Sequence, residues 1–208
     1  MRSIRILTLA LVPALAVAAP AFAQEASTDS AAGKRFSVVG SLSHLDPSDP
    51  GNGVEVDGDP APTVSATWHA TDNFGVELWG AADKFDHRVR ADGVGKVGTV
   101  AQQPVALSAQ WHFGQPDNVF RPFVGLGYYE SNFSNEDIAG AGEHVGLETA
   151  KGAIGTVGVD YNINSTWFAR TDVRYMHARP EMRVGGEGTG EELKLDPWVV
   201  GVGLGARF

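Results

Sequence analysis

The chain has 208 residues, a formal net charge of −9 and no cysteine. This length suits one ordinary domain. The missing cysteines exclude disulfides and thiolate metal sites, and the acidic balance excludes the basic footprint of a nucleic-acid binder.

The first 23 residues read as a secretory signal peptide. Arg2 and Arg5 form a positive start, Ile6 to Ala19 an apolar run, and Ala21-Phe22-Ala23 an A-x-A cleavage pattern. The run is short for a membrane anchor and is interrupted by Pro13 and Pro20. Cleavage leaves one domain over residues 24–208, and loss of the two arginines lowers the net charge from −9 to −11. No later apolar run is long enough for a spanning helix, so membrane entry would require closed strands.

The mature chain alternates with period 2 and shows no helical period. Eight strands are predicted, at 35–44, 63–70, 74–83, 103–113, 119–132, 149–161, 167–178 and 194–208. Three connections are short and rich in turn residues: Ala70 to Asn73, Gly114 to Asn118 and Asn162 to Thr166. The other four, at 45–62, 84–102, 133–148 and 179–193, are long and are read as structureless loops. This alternation predicts an all-β fold, an eight-stranded antiparallel up-and-down transmembrane β-barrel with short periplasmic turns and longer outer loops.

The faces agree. In the last strand Trp198, Val200, Val202, Leu204, Ala206 and Phe208 share one side; Val199, Gly201, Gly203, Gly205 and Arg207 share the other. In the seventh, Trp167, Ala169, Thr171, Val173 and Tyr175 alternate with Phe168, Arg170, Asp172 and Arg174. A soluble barrel would reverse these faces. Aromatic residues at both ends of the apolar side, together with the loop asymmetry, favour a lipid-facing exterior.

Several stretches carry a resemblance, in order, over the whole mature chain. They are Thr71-Asp72-Asn73-Phe74-Gly75-Val76-Glu77-Leu78, Lys84-Phe85-Asp86-His87, Pro104-Val105-Ala106-Leu107, Arg121-Pro122-Phe123-Val124-Gly125-Leu126-Gly127-Tyr128-Tyr129, and Asp196-Pro197-Trp198 with the terminal Phe208. The chain resembles the OmpW/AlkL family of small outer-membrane barrels of Gram-negative bacteria. The resemblance implies a narrow, partly apolar lumen that passes or captures small hydrophobic molecules, with lateral escape into the membrane. It also implies that Phe208 is a signal read by the barrel-assembly machinery. At Ala82-Asp83-Lys84 the chain departs from the family's usual Pro-Phe.

The facing pattern places a charged group of side chains inward: Arg35, Arg121, Arg170, Arg174 and Arg207 with Glu77, Asp83, Asp160 and Asp172. An eight-stranded barrel is wide enough only for side chains, so these charges must pair. They are read as an ion network filling the periplasmic half, with a gate or ion path as the sharper alternative. Above it, Val39, Trp79, Phe123, Tyr129 and Ile154 are read as lining an apolar cavity, with ordinary core filling as the alternative.

No cofactor, catalytic residue or metal site is predicted. The six histidines lack the paired spacing of a metal site; most are expected at strand ends or in loops. Gly201-Val202-Gly203-Leu204-Gly205 has no following helix and fails as a dinucleotide loop. An enzyme acting on lipid at the rim, through His87 and Asp86, is the weakest reading. Two outer loops are wholly acidic, with Asp46, Asp49, Glu55, Asp57 and Asp59 in one and Glu136, Asp137, Glu143 and Glu148 in another. They support an alternative function: a plugged structural barrel whose loops bind lipopolysaccharide, phage, bacteriocin or host surfaces. The expected setting is the outer membrane, with lipid and lipopolysaccharide as surroundings.

Overall fold

The computed structural model describes residues 30–46, 54–91, 95–138, 145–147, 149–177, 181–184, 187–192 and 196–208. Within these, only the backbone is described at 54–57, 87–91, 95–100, 133–138, 145–147, 181–184 and 187–192. The predicted signal peptide lies outside the described residues.

The strands are β1 (Phe36–Asp46), β2 (Val54–Asp57), β3 (Asp59–His69), β4 (Phe74–Ala81), β5 (Phe85–Ala91), β6 (Gly95–His112), β7 (Phe120–Ile138), β8 (Val145–Leu147), β9 (Ala150–Asn162), β10 (Trp167–Met176), β11 (Glu181–Val184), β12 (Glu187–Glu192) and β13 (Trp198–Arg207). Eight of them close a barrel in the order β1-β3-β4-β6-β7-β9-β10-β13. The seam between the two ends of the chain runs antiparallel from Ser37 opposite Arg207 to Asp46 opposite Trp198. This is the predicted fold class.

The long connections differ from expectation. The stretches 45–62, 84–102, 133–148 and 179–193 are not structureless. They contain β2 and β5, which pair with each other, and β5 pairs with the outer part of β6. β8, β11 and β12 form a separate small sheet. β6 and β7 run to 18 and 19 residues, well beyond the ~9–11 needed to cross the apolar layer. Outside that layer neither face must be apolar, so pairing continues while the apolar period disappears.

Lipid contact explains the exposed side. Leu42, Val64, Leu78, Leu107, Leu126, Val157, Val202 and Leu204 all point outward and are exposed. Around the periplasmic end they are bordered by Phe36, Trp68, Phe74, Trp111, Phe113, Phe120, Tyr161, Trp167 and Phe208. At the outer end Trp198 packs on Tyr175, with ring centroids 4.9 Å apart. Such girdles mark the two interfaces of the bilayer.

The periplasmic turns are braced by side-chain amides and hydroxyls. Thr71 Oγ1 accepts the Phe74 amide at 2.9 Å. Asn73 Nδ2 donates to the carbonyls of His112 and Gly114 at 2.7 and 2.8 Å. Asn162 Nδ2 donates to those of Pro116 and Asn118, both at 2.8 Å. Neighbouring hairpins are thereby tied together at their bases.

Candidate functional site

The lumen has two storeys. The lower holds buried charges placed there by strict alternation on β4, β9, β10 and β13. Arg170 and Asp160 are direct register partners. Arg170 Nε and Nη2 donate to the two Asp160 oxygens at 2.7 and 3.0 Å, and Nη1 reaches Glu77 at 3.1 Å. Arg174 donates to Glu77 at 2.8 Å and to Asp172 at 2.8 Å. Arg207 donates to Asp160 at 3.0 Å and to Asn162 at 2.5 Å. A buried charge persists only when paired in this way.

Aromatic rings fill the spaces between these guanidiniums. Arg170 stacks over Phe123, 4.4 Å from its centroid, and Arg207 over Phe168 at 4.0 Å. Two glycines make room for the rings. A Cβ on Gly158 would lie 2.5 Å from Phe123 Cζ, and one on Gly205 would strike Phe168. That close approach accounts for glycine at 158 and 205, whereas a Cβ at Gly203 would strike Ser41.

The upper storey is mostly apolar, with Ser43, Thr63, Gln102 and Ser131 as its buried polar side chains. Leu45, Ala61, Trp79, Ala81, Phe85, Ala106, Tyr129, Ala150, Ile154, Met176 and Val199 form one buried cluster. Tyr129 is anchored within it by donating from its hydroxyl to the His177 carbonyl at 3.1 Å. Trp79 forms the boundary, because the Arg174 guanidinium lies beneath its ring at 4.7 Å.

Of the residues assigned to the network, Glu77, Asp160, Arg170, Asp172, Arg174 and Arg207 come together. Arg121 is buried beside them but makes no ion pair among the described residues; it donates to the Asp72 carbonyl. Arg35 and Asp83 are placed elsewhere. Arg35 immediately precedes β1 and is exposed at the rim, 3.6 Å from Asp72. Asp83 lies beyond the end of β4, where the chain bends, and is exposed, accepting the Lys84 amide at 2.8 Å.

Of the apolar candidates, Trp79, Tyr129 and Ile154 belong to the upper cluster. Val39 and Phe123 are buried but lie lower. Val39 is opposite Gly205 near the base, and Phe123 stacks on His112 with centroids 5.1 Å apart. Facing alone assigns a side of the wall, whereas height depends on register around the barrel.

Of the histidines, expected mostly at strand ends or in loops, His69 and His112 stand at the ends of β3 and β6 and are buried in the lower storey. His69 Nε2 bonds Ser37 Oγ at 3.0 Å, and His112 Nε2 approaches Gln110 Oε1 at 3.3 Å. Among the described residues no group of three His, Asp or Glu is placed to hold a metal ion. The side chains of His87 and of all the acidic loop residues but Asp46 and Asp59 lie outside the described residues; Asp86 is exposed.

A short N-terminal strap crosses the periplasmic mouth. Ser30 Oγ and the Ala31 amide donate to Asp117 at 2.5 and 2.7 Å. The Gly33 amide donates to Asp72 at 3.0 Å, and Lys34 Nζ to Thr166 at 2.8 Å. These contacts touch all three periplasmic turns. The Ser30 hydroxyl, followed by the Ala31 amide, holds the Asp117 carboxyl below the usual aspartate range.

Three prolines surround the outer end of β4. The Ala82 amide donates to the Pro62 carbonyl at 2.9 Å. In a hydrogen-bonded antiparallel pair the return bond comes from the opposite N–H, which Pro62 lacks. The next such position on β3 is Pro60, again without a donor. On the other side, Pro104 faces Ala81 and leaves its carbonyl without a ladder donor; Gln103 Nε2 takes that carbonyl at 3.3 Å. The β3–β4 ladder therefore stops at Thr63 and Ala81. Beyond it, the Asp86 amide donates to Asp59 Oδ2 at 3.2 Å, linking β5 to β3. Ala61, Ala81 and Phe85 of the apolar storey stand at this break.

The family model that matches is that of the OmpW family, over residues 35–208. Outer membrane protein W of Salmonella typhimurium is 37% identical over 176 residues, spanning 81% of this chain and 80% of the relative. The crystal structure of the outer membrane protein OprG from Pseudomonas aeruginosa is similar with a TM-score of 0.75 at 27% identity, covering 88% of this chain and 99% of that one. The solution structure of Outer Membrane Protein W from E. coli gives 0.61 at 30% identity, covering 88% and 100%.

Proposed function

Because the chain belongs to the OmpW family of outer-membrane barrels, we propose that its upper lumen takes in small hydrophobic molecules and releases them sideways into the membrane. It sits in the outer membrane and is not an enzyme.

The observation that carries this reading is the vertical order of the lumen. A buried apolar storey stands on a paired, charged one, with Trp79 between them. An apolar solute gains roughly 25 cal/mol for each Å² of apolar surface it removes from water. Passing further down would displace paired buried charges, at a cost of several kcal/mol per ion. The lower storey thus acts as a plug. The break in the wall beside Ala61, Ala81 and Phe85 offers the sideways exit.

Uptake of a labelled hydrophobic compound by cells making the wild-type barrel, the Trp79→Ala variant or no barrel tests this reading. Barrel-dependent uptake that changes in Trp79→Ala is expected. Equal uptake in all three strains overturns it. In planar bilayers the purified protein should conduct weakly, and apolar amphiphiles should lower that conductance.

Residues 1–23 are proposed to be removed on export. Phe208, whose ring is exposed on the lipid side at the seam, is proposed as the mark read by the assembly machinery. Binding of lipopolysaccharide, phage, bacteriocin or host surfaces by the acidic loops is the competing reading. Deleting 133–148 separates the two: it would abolish such binding and leave solute uptake intact.

A further inference from the structure

We propose that the base of the lumen holds a small inorganic anion of halide size against Arg121. The argument rests on a buried guanidinium without an ion pair and does not depend on the transport reading. Four guanidiniums, those of Arg121, Arg170, Arg174 and Arg207, are buried in the lower storey against three carboxylates, Glu77, Asp160 and Asp172. All three carboxylates are occupied by the other arginines.

Arg121 is left over. It stands directly opposite Asp160 in the β7–β9 ladder. Both oxygens of that carboxylate nevertheless accept from Arg170, and one also from Arg207. Arg121 is 3% exposed, its Nη2 donates to the Asp72 carbonyl, and its buried Nε–H has no partner. The rim acids Asp72 and Asp117 lie within electrostatic reach of Arg121 but form no ion pair with it. Asp72 faces Arg35 and the Gly33 amide, and Asp117 holds the strap. A buried guanidinium with one orphan donor and no carboxylate within ion-pair distance calls for a further partner, which an anion supplies. The strap covers this end of the barrel, with Ala31 buried against it, which favours a monatomic ion over a bulky organic acid.

Bromide is the probe. Crystals of the full-length mature protein grown in sodium bromide should show an anomalous peak within hydrogen-bonding distance of Arg121 Nε. The peak should be lost in Arg121→Gln. In detergent solution, chloride should broaden its own NMR line in the presence of wild-type protein and less so with Arg121→Gln. If Arg121→Gln does not fold, the wild-type bromide map decides alone. A peak at Arg121 supports the proposal. An ordered water there, an empty map, or bromide only at the exposed Lys34 and Arg35 overturns it.

Discussion

Arg174 lies beneath the Trp79 ring, 4.7 Å from its centroid, while its donors are held by Glu77 and Asp172. One guanidinium thus serves both storeys: its donors complete the plug and its face carries the apolar floor. Trp79→Ala removes a large buried side chain and should cost about 3–5 kcal/mol. Trp79→Phe keeps the ring over the cation and should cost less. Urea titration of folding into lipid vesicles measures both.

Glu77 joins Arg170 and Arg174 across the barrel. Glu77→Gln leaves both cations short of charge and should destabilise by about 3–5 kcal/mol, as expected when one partner of a buried pair is removed. Adding Arg174→Met removes one of the stranded cations. The double variant should therefore be less destabilised than the sum of the single ones. Strict additivity in a double-mutant cycle would show that the two do not act together.

Pro62 withholds the return bond of its pair with Ala82. Pro62→Ala restores that donor, extends the β3–β4 ladder and narrows the break in the wall. The expected result is slower barrel-dependent uptake with unchanged or higher thermal stability. Faster uptake would place the exit elsewhere.

Leu126 is 71% exposed on the outer face of β7. If that face meets acyl chains near mid-bilayer, Leu126→Arg should cost about 2–4 kcal/mol. In a soluble barrel the same change would be nearly neutral. Folding titrations in vesicles distinguish the two.

Asp117 binds the strap as a carboxylate, and its affinity for protons is lowered by the Ser30 and Ala31 bonds. Its contribution is therefore present above the unfolded value of about 3.9 and is lost as pH falls through the lower folded value. The group is solvent-facing, so global stability should hardly move. The readout is local: protection of the Ala31 amide from hydrogen exchange, taken relative to its intrinsic rate at each pH, should be high at neutral pH, lower in strong acid, and low at all pH in Asp117→Ala.

Strand number, order and facing were legible because lipid forces one apolar side on every spanning strand. The pairs Trp198/Val199 and Trp167/Phe168 already separate outside from inside. The facing rule failed where it was carried past a strand end, at Arg35 and Asp83. Height was not legible either: Val39 and Phe123 share the inward side with Tyr129, yet register around the barrel sets them among the charges. β8 and β12 left no apolar period to read, and the alternation of β2, β5 and β11 is confined to four to seven residues within long polar connections. Pro60, Pro62 and Pro104 were in plain view, but their effect depends on which edge each residue turns toward β4. The Arg174–Trp79 contact joins residues far apart in sequence and needed the closed barrel to appear.

The strap also sets an order of events. Ser30 to Lys34 reach residues 72, 117 and 166, and the Arg35 amide donates to the carbonyl of Phe208, the final residue of the chain. The residues leading into β1 therefore find their last partner only when β13 has arrived. Locking of the periplasmic base is a late step, available only to a chain whose hairpins are all in place.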